Sequence, residues 1–210
     1  MEPNLAILNG KTNKGDFILN IGAKCTGKTT LCKQFIKRAE PLSKILIIDA
    51  NNEYLDYPKI KKKDLAEFMS NDCGVFRFVF DKRMTIKSFG DTYRYIMQNY
   101  RNGLLICEEP FWHIQPDDDE FLGMISTSRT RGVYLILNVQ TLSKVVEPKI
   151  LQNCRYMILH KTCDVPERYR EKLGYNYKLI SEGFELLDKD NRFSAVLIDF
   201  NKETVIKIER

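Results

Sequence analysis

Gly22-Ala23-Lys24-Cys25-Thr26-Gly27-Lys28-Thr29 is the stretch on which the reading of this chain turns. It follows the apolar run Phe17-Ile18-Leu19-Asn20-Ile21 and leads into Thr30-Leu31-Cys32-Lys33-Gln34-Phe35-Ile36. The spacing is G-x-x-x-x-G-K-[ST] between a predicted strand and a predicted helix, the context that makes this pattern a phosphate-binding loop. Glycines at its ends let the backbone curl so that successive N–H groups face the phosphates. The helix starting near Gly27 adds the positive end of its dipole. Residues 22–30 are therefore the expected nucleotide-binding segment, Lys28 reaching the β- and γ-phosphates and the Thr29 hydroxyl holding Mg²⁺.

Outward from the loop, strands and helices alternate. The first strand is expected at about 16–21 and the first helix at about 28–39, stopped by Pro41. Continuous apolar runs follow at 44–49, 103–109 and 132–140, with a further core strand at 155–160. Such runs are buried on both faces in a parallel sheet. A strand at 75–80 and helices at 64–70, 84–100, 117–128 and 166–173 fill the intervals. The pattern predicts an α/β fold with a mostly parallel central sheet flanked by helices. After Gly183 it changes: strands at 184–187, 193–200 and 205–208, separated by polar turns, read as antiparallel strands closing the C-terminus. A polar lead-in with an edge strand at 5–8 precedes everything. The expected organisation is one domain over 1–210, its core at about 16–173 and a β-hairpin extension at about 184–208.

Composition agrees with a globular domain: of 210 residues, 43% are hydrophobic and 29% charged. No run of eighteen apolar residues occurs, and Met1-Glu2-Pro3-Asn4 lacks the basic start of a signal peptide, so a cytoplasmic protein without a membrane span is expected. Six cysteines without a C-x-x-C pair read as reduced thiols rather than a disulfide framework or zinc site. The net charge of +5 permits a polyanionic partner without demonstrating one.

Three further features bear on chemistry. The apolar strand Leu104-Leu105-Ile106-Cys107 ends in Glu108 and Glu109, about eighty residues after the loop. Mg²⁺ prefers a few carboxylates plus phosphate oxygens, which suits Glu108, and Glu109 is then placed to polarise an attacking water. Gln140 ends the next core strand, where a neutral amide can orient that water or sense the γ-phosphate; a solvated strand end is the alternative. Ser128-Arg129-Thr130-Arg131 precedes the same strand. Its arginines either pair with the sheet's own carboxylates or stabilise transferred charge in a neighbouring subunit.

The string Ser-Arg-Thr-Arg-Gly-Val-Tyr-Leu-Ile-Leu-Asn-Val-Gln-Thr-Leu-Ser (128–143) resembles the arginine–strand–glutamine segment of the FtsK–HerA superfamily of DNA-pumping ATPases. Ile-Ile-Asp-Ala-Asn-Asn-Glu-Tyr (47–54) resembles that group's Asp-x-x-x-Glu-aromatic turn. With the loop and the acidic strand end, four motifs fall in order between about 16 and 160. The resemblance implies a RecA-like core that hydrolyses ATP with Mg²⁺ at the subunit interfaces of a ring, usually a hexamer, and moves double-stranded DNA through it. On it, Lys28, Thr29 and Glu108 serve phosphate and metal, although the family more often has Asp where this chain has Glu108. Glu109 and Gln140 flank the water, Arg129 is the arginine acting in trans with Arg131 as understudy, and Glu53 lies near the site. A core of this size looks most like the genome-packaging ATPases of membrane-containing icosahedral viruses, which implies capsid or membrane-vertex partners and no small-molecule substrate besides ATP. Lys61, Lys62, Lys63, Lys82 and Arg83 are the cations nearest the expected DNA path, where lysines suffice for phosphate contacts; a solvated charged face is the alternative. A small-molecule phosphotransferase, with Arg168 and Arg170 in a lid, and a phage assembly or secretion protein with the same core also remain open.

Overall fold

The computed structural model describes residues 15–39, 44–71, 73–80 and 84–208; the edge strand expected at 5–8, Lys82 and Arg83 lie outside them. The strands are β1 (Phe17–Ile21), β2 (Lys44–Asp49), β3 (Gly74–Val79), β4 (Gly103–Glu108), β5 (Val133–Val139), β6 (Tyr156–His160), β7 (Ala195–Asp199) and β8 (Thr204–Ile208). They form one sheet in the order β3-β2-β4-β5-β1-β6-β7-β8. From β3 to β6 every neighbouring pair is parallel, and β7 and β8 add on antiparallel. β1, β2 and β6 are buried along their whole length, which is why their sequences run apolar without alternation.

The helices are α1 (Lys28–Ala39), α2 (Leu65–Ser70), α3 (Ile86–Asn99), α4 (Asp119–Thr127), α5 (Pro148–Asn153), α6 (Arg170–Leu173) and α7 (Tyr177–Leu186). Two apolar layers lie on either side of the sheet. On one side Leu31, Cys32, Phe35 and Ile36 of α1 pack on Ile18, Ile47, Ile106, Ile136 and Ile158. On the other, Phe68 of α2, Phe89 and Tyr93 of α3, Phe121 of α4, Ile150 of α5 and Ile180 of α7 pack on Leu19, Leu46, Leu105, Leu137 and Leu159. Each fully buried Leu or Ile contributes about 1.5–3 kcal/mol to this core. Caps fix where the helices begin: Thr85 accepts the Ser88 N–H at 3.1 Å ahead of α3, and Asp118 accepts the Phe121 N–H at 3.2 Å ahead of α4. Asp118 also holds Arg94 of α3 at 2.7 Å, tying the two helices together.

The strand expected at 184–187 is not formed. Residues up to Leu186 belong to α7, and only 195–208 makes the hairpin. Gly183 suggested a break, yet it sits inside the helix because a Cβ there would lie 2.9 Å from Ile198 Cδ1. The glycine lets α7 approach β7 closely, and the apolar spacing Ile180, Phe184, Leu187 is helical rather than alternating. The helix expected at 166–173 divides into a 3-10 turn, Pro166–Tyr169, and the single turn of α6.

Candidate active site

All the parallel strands end at one edge, and the loop after β1 leaves the sheet there between β5 and β6. The Gly22 N–H donates to Val139 O at 3.0 Å and the Ala23 N–H to Lys161 O at 2.9 Å, so the stem of the loop is fixed to both neighbours. A Cβ on Gly22 would stand 2.5 Å from His160 Cβ and 2.9 Å from Thr26 Oγ1, leaving no room for a larger residue. At the tip Cys25 adopts φ 60°, and Thr26 Oγ1 pins the turn by donating to Ala23 O at 2.9 Å. Lys28 Nζ donates to the carbonyls of Gly22 and Ala23. Burial lowers its pKa, while Glu109, Glu108 and Glu53 oppose that shift and favour the charged form.

The cleft over this loop has a volume of about 540 Å³ and is lined by Lys24, Cys25, Gly27, Lys28, Thr29 and Thr30, by Asn51 and Glu53, by Glu108, Glu109 and Gln140, and by Arg192 and Phe193. The structure thus brings together the loop, the acidic pair, the turn glutamate and the strand-end glutamine, from four separate parts of the sequence. Glu109 follows the end of β4 in a left-handed conformation, φ 45° and ψ 53°, before Pro110 opens a 3-10 turn. Its N–H donates to Asn138 O at 2.9 Å. Burial raises the pKa of its carboxyl, partly offset by the nearby Gln140 amide and by the charge of Lys28. Such a carboxylate is a better proton acceptor than a solvated one.

Glu108 is only 2% exposed. Burial pushes its pKa up to about 7, against the hydrogen bonds from Tyr54 and Asn138, both of which end on Oε1. These partners belong to a buried polar row that crosses four adjacent strands. Asn138 Oδ1 accepts from Asn20 Nδ2 at 2.7 Å, Asn20 Oδ1 bonds His160 Nε2 at 2.7 Å, and Cys32 Sγ of α1 lies 3.4 Å from Asn138 Oδ1. Register aligns the row: Asn20 stands opposite Asn138, and Asn138 opposite Glu108. Sequence reasoning missed these residues. The available signal was a polar residue interrupting each of three core strands near its end, in FILNI, VYLILNV and YMILH.

The turn after β2 shows why an Asp precedes a Glu-aromatic pair. The buried Asp49 carboxylate accepts the N–H of Glu53 at 2.8 Å and of Tyr54 at 3.1 Å. Arg77 of β3 neutralises Asp49 at 3.0 Å and reaches Asn52 Oδ1 at 2.6 Å. Held this way, Tyr54 turns inward to Glu108, and Glu53 Oε2 accepts from Thr29 Oγ1 at 2.5 Å. Thr29, Glu53 and Glu108 form a hard oxygen donor set facing the loop, which fits Mg²⁺ shared with phosphate oxygens. Among the described residues no cluster of three or more His, Cys, Asp or Glu forms a closed metal cage.

Arg129 and Arg131 stand elsewhere. They precede β5, so the seven-residue strand separates them from Gln140 by roughly 20 Å. Arg129 is exposed. Arg131 Nη1 donates to Met97 O at 2.6 Å and Gln98 O at 3.3 Å, capping the C-terminal end of α3. Lys61, Lys62 and Lys63 are exposed in and beside a 3-10 turn. The preceding Lys59 bridges Arg77 in parallel, so the lysines leave β3 toward the edge that carries the cleft. Arg168 and Arg170 do not line the cleft; the Arg170 guanidinium lies 5.0 Å from the centre of the Tyr177 ring.

No protein-family model matches the sequence, and no curated protein matches it. Solved structures do match. The genome-packaging NTPase B204 of Sulfolobus turreted icosahedral virus 2, in complex with ATP-gammaS, superposes with a TM-score of 0.69 at 20% identity, over 94% of this chain and 98% of that one. The pCW3 conjugation coupling protein TcpA gives 0.57 at 14% identity, over 93% of this chain and 60% of that one. ATPases 2 and 3 of EssC from Geobacillus thermodenitrificans give 0.55 at 13%, over 93% and 39%. The fold expected from the sequence is the fold found: this chain shares the P-loop NTPase fold of these ATPases, and its own sheet is parallel from β3 to β6 with antiparallel strands at the C-terminus.

Proposed function

We propose that this chain is an Mg²⁺-dependent ATPase that works as a ring of identical copies, usually six in this group, and moves double-stranded DNA, as the motor that loads a viral genome into a preformed capsid. The observation that carries this reading is the convergence of Glu109 and Gln140, at the tips of two adjacent strands, on the cleft that also holds Lys28. A phosphate site alone needs no such pair; hydrolysis does. B204, which is nearly coextensive with this chain, is a genome-packaging NTPase solved with AMPPCP and with ATP-gammaS, and this supports both the nucleotide and the task.

In this reading the loop N–H groups and Lys28 hold the β- and γ-phosphates. Thr29 and Glu108 hold Mg²⁺, with Glu53 beside Thr29. When bound, the ion offsets charge on the phosphate oxygens. Glu109 accepts the proton of the attacking water, and the Gln140 amide orients that water. Charge that develops on the transferred phosphoryl group is met by Arg129 of the neighbouring copy, since the chain's own Arg129 lies at the far edge. Lys61, Lys62 and Lys63 meet the DNA backbone, the role also expected of Lys82 and Arg83 outside the described residues. No helix among the described residues is long and apolar enough to cross a membrane. Capsid or membrane-vertex proteins are the proposed partners, met in the host cytoplasm or on the virion.

Mg²⁺-ATP turnover measured against protein concentration, with and without duplex DNA, tests this. The turnover per subunit is expected to rise steeply with concentration and further with DNA. A rate per subunit independent of both would sink the ring motor and leave a monomeric enzyme.

A further inference from the structure

The cleft has a flank that the phosphate chemistry leaves unused. On the β4–β5 side of the loop stand Glu108, Glu109 and Gln140; Arg192 and Phe193, just before β7, line the opposite side. Phe193 is 55% exposed, although covering a side chain of this size is worth about 2 kcal/mol. The turn that carries it is built rather than loose. The Asp188 carboxylate accepts the N–H of Asp190 at 2.9 Å and of Asn191 at 3.3 Å. Asn191 Oδ1 accepts the Phe193 N–H at 2.9 Å, and Ser194 Oγ accepts the Asp188 N–H at 3.0 Å. Further bonds dock the turn on the phosphate loop. Lys161 Nζ donates to Lys189 O, the Lys161 carbonyl accepts the Ala23 N–H, and the Arg192 guanidinium reaches Lys24 O at 3.5 Å.

A nucleoside triphosphate whose γ-phosphate lies beside Glu108 and Glu109 directs its base away from them, toward β6 and β7. There it meets an exposed aromatic ring on a pinned turn. Stacking on such a ring is worth about 1–3 kcal/mol for any base, because every base has a π-face. We propose that the 188–194 turn is the base platform of this site, with Phe193 stacking on the nucleobase and Arg192 holding the turn against the loop. The proposal rests on the nucleotide-binding reading of the cleft.

Equilibrium titrations of the full chain with Mg²⁺-ATP and with inorganic tripolyphosphate separate base from phosphate recognition. Phe193→Ala is expected to weaken ATP binding on the order of 10-fold to 100-fold while leaving tripolyphosphate affinity unchanged, and Phe193→Tyr is expected to restore ATP binding. Unchanged tripolyphosphate binding also shows that the variant is folded. Equal ATP affinity in wild type and Phe193→Ala would overturn the platform, as would an equal loss for both ligands, which would mean that the ring acts through the loop. Lost self-association with unchanged ATP affinity would overturn it too, and would give Phe193 to a contact between copies. A wild-type chain that binds neither ligand would remove the nucleotide reading itself, and the platform with it.

Discussion

At the C-terminal edge of the sheet, polar side chains from four strands turn toward one another; at the N-terminal edge, where Arg155 pairs with Asp16 at 2.8 Å, the two arginines ahead of β5 turn outward or hold a helix end. Glu108, Asn138, Asn20 and His160 form one buried row beneath the loop, while Arg129 faces solvent and Arg131 caps α3. Burying a polar group is costly unless it is paired, so the first arrangement stands because every member is bonded. The second needs no such support. The contrast teaches that the charged groups of the cleft and the exposed Arg129 lie on opposite edges of one copy, which is the separation that the proposed ring requires.

Mutations divide along the same line. The largest effect is expected for Glu109→Gln: turnover should fall by about 10²–10⁴-fold while ATP still binds, and turnover that survives would remove Glu109 as the base. Arg129→Ala should lower turnover by about 10³-fold, and here mixing is informative. Subunits carrying Arg129→Ala, combined with subunits carrying either Glu109→Gln or Lys28→Ala, should regain activity that neither has alone. Glu109→Gln with Lys28→Ala should regain none, since both lesions lie in the same half of the site. Absence of recovery with Arg129→Ala would break the two-edge comparison. The smallest effect is expected for Arg131→Ala, which removes the cap on α3. It should cost about 1 kcal/mol of stability, read as a fall of about 2–4 °C in melting temperature, with turnover unchanged; a large loss of turnover would move Arg131 into the catalytic role.

What could be read beforehand was what is local in sequence. The loop, α1 and the continuous apolar strands announce themselves within a dozen residues each, and Glu108, Glu109 and Gln140 sit at strand ends that the apolar runs mark. The turn at 49–54 was legible as a pattern but not as a mechanism, because the partner that neutralises Asp49 is Arg77, on a different strand. Likewise nothing adjacent in sequence says that Asn20 will meet Asn138; that requires the strand order. The helical run of α7 is masked in the sequence by Gly183, a residue type that more often marks a break, whereas here its missing side chain serves close packing on Ile198. Phe193 lies in the 193–200 run that the sequence predicts as a strand, but it precedes β7, and its place in the cleft depends on where the antiparallel strands join the sheet.

The backbone at Glu109 carries a different kind of consequence. A side chain other than glycine, held at φ 45°, sits about 1–2 kcal/mol above an ordinary conformation. Glycine would relieve that strain and remove a buried carboxylate at the same time, so stability and the proposed proton acceptor pull this position in opposite directions. Selection for thermal robustness alone would drift away from glutamate here. A screen of survivors ranked by melting temperature rather than by turnover should reveal the drift.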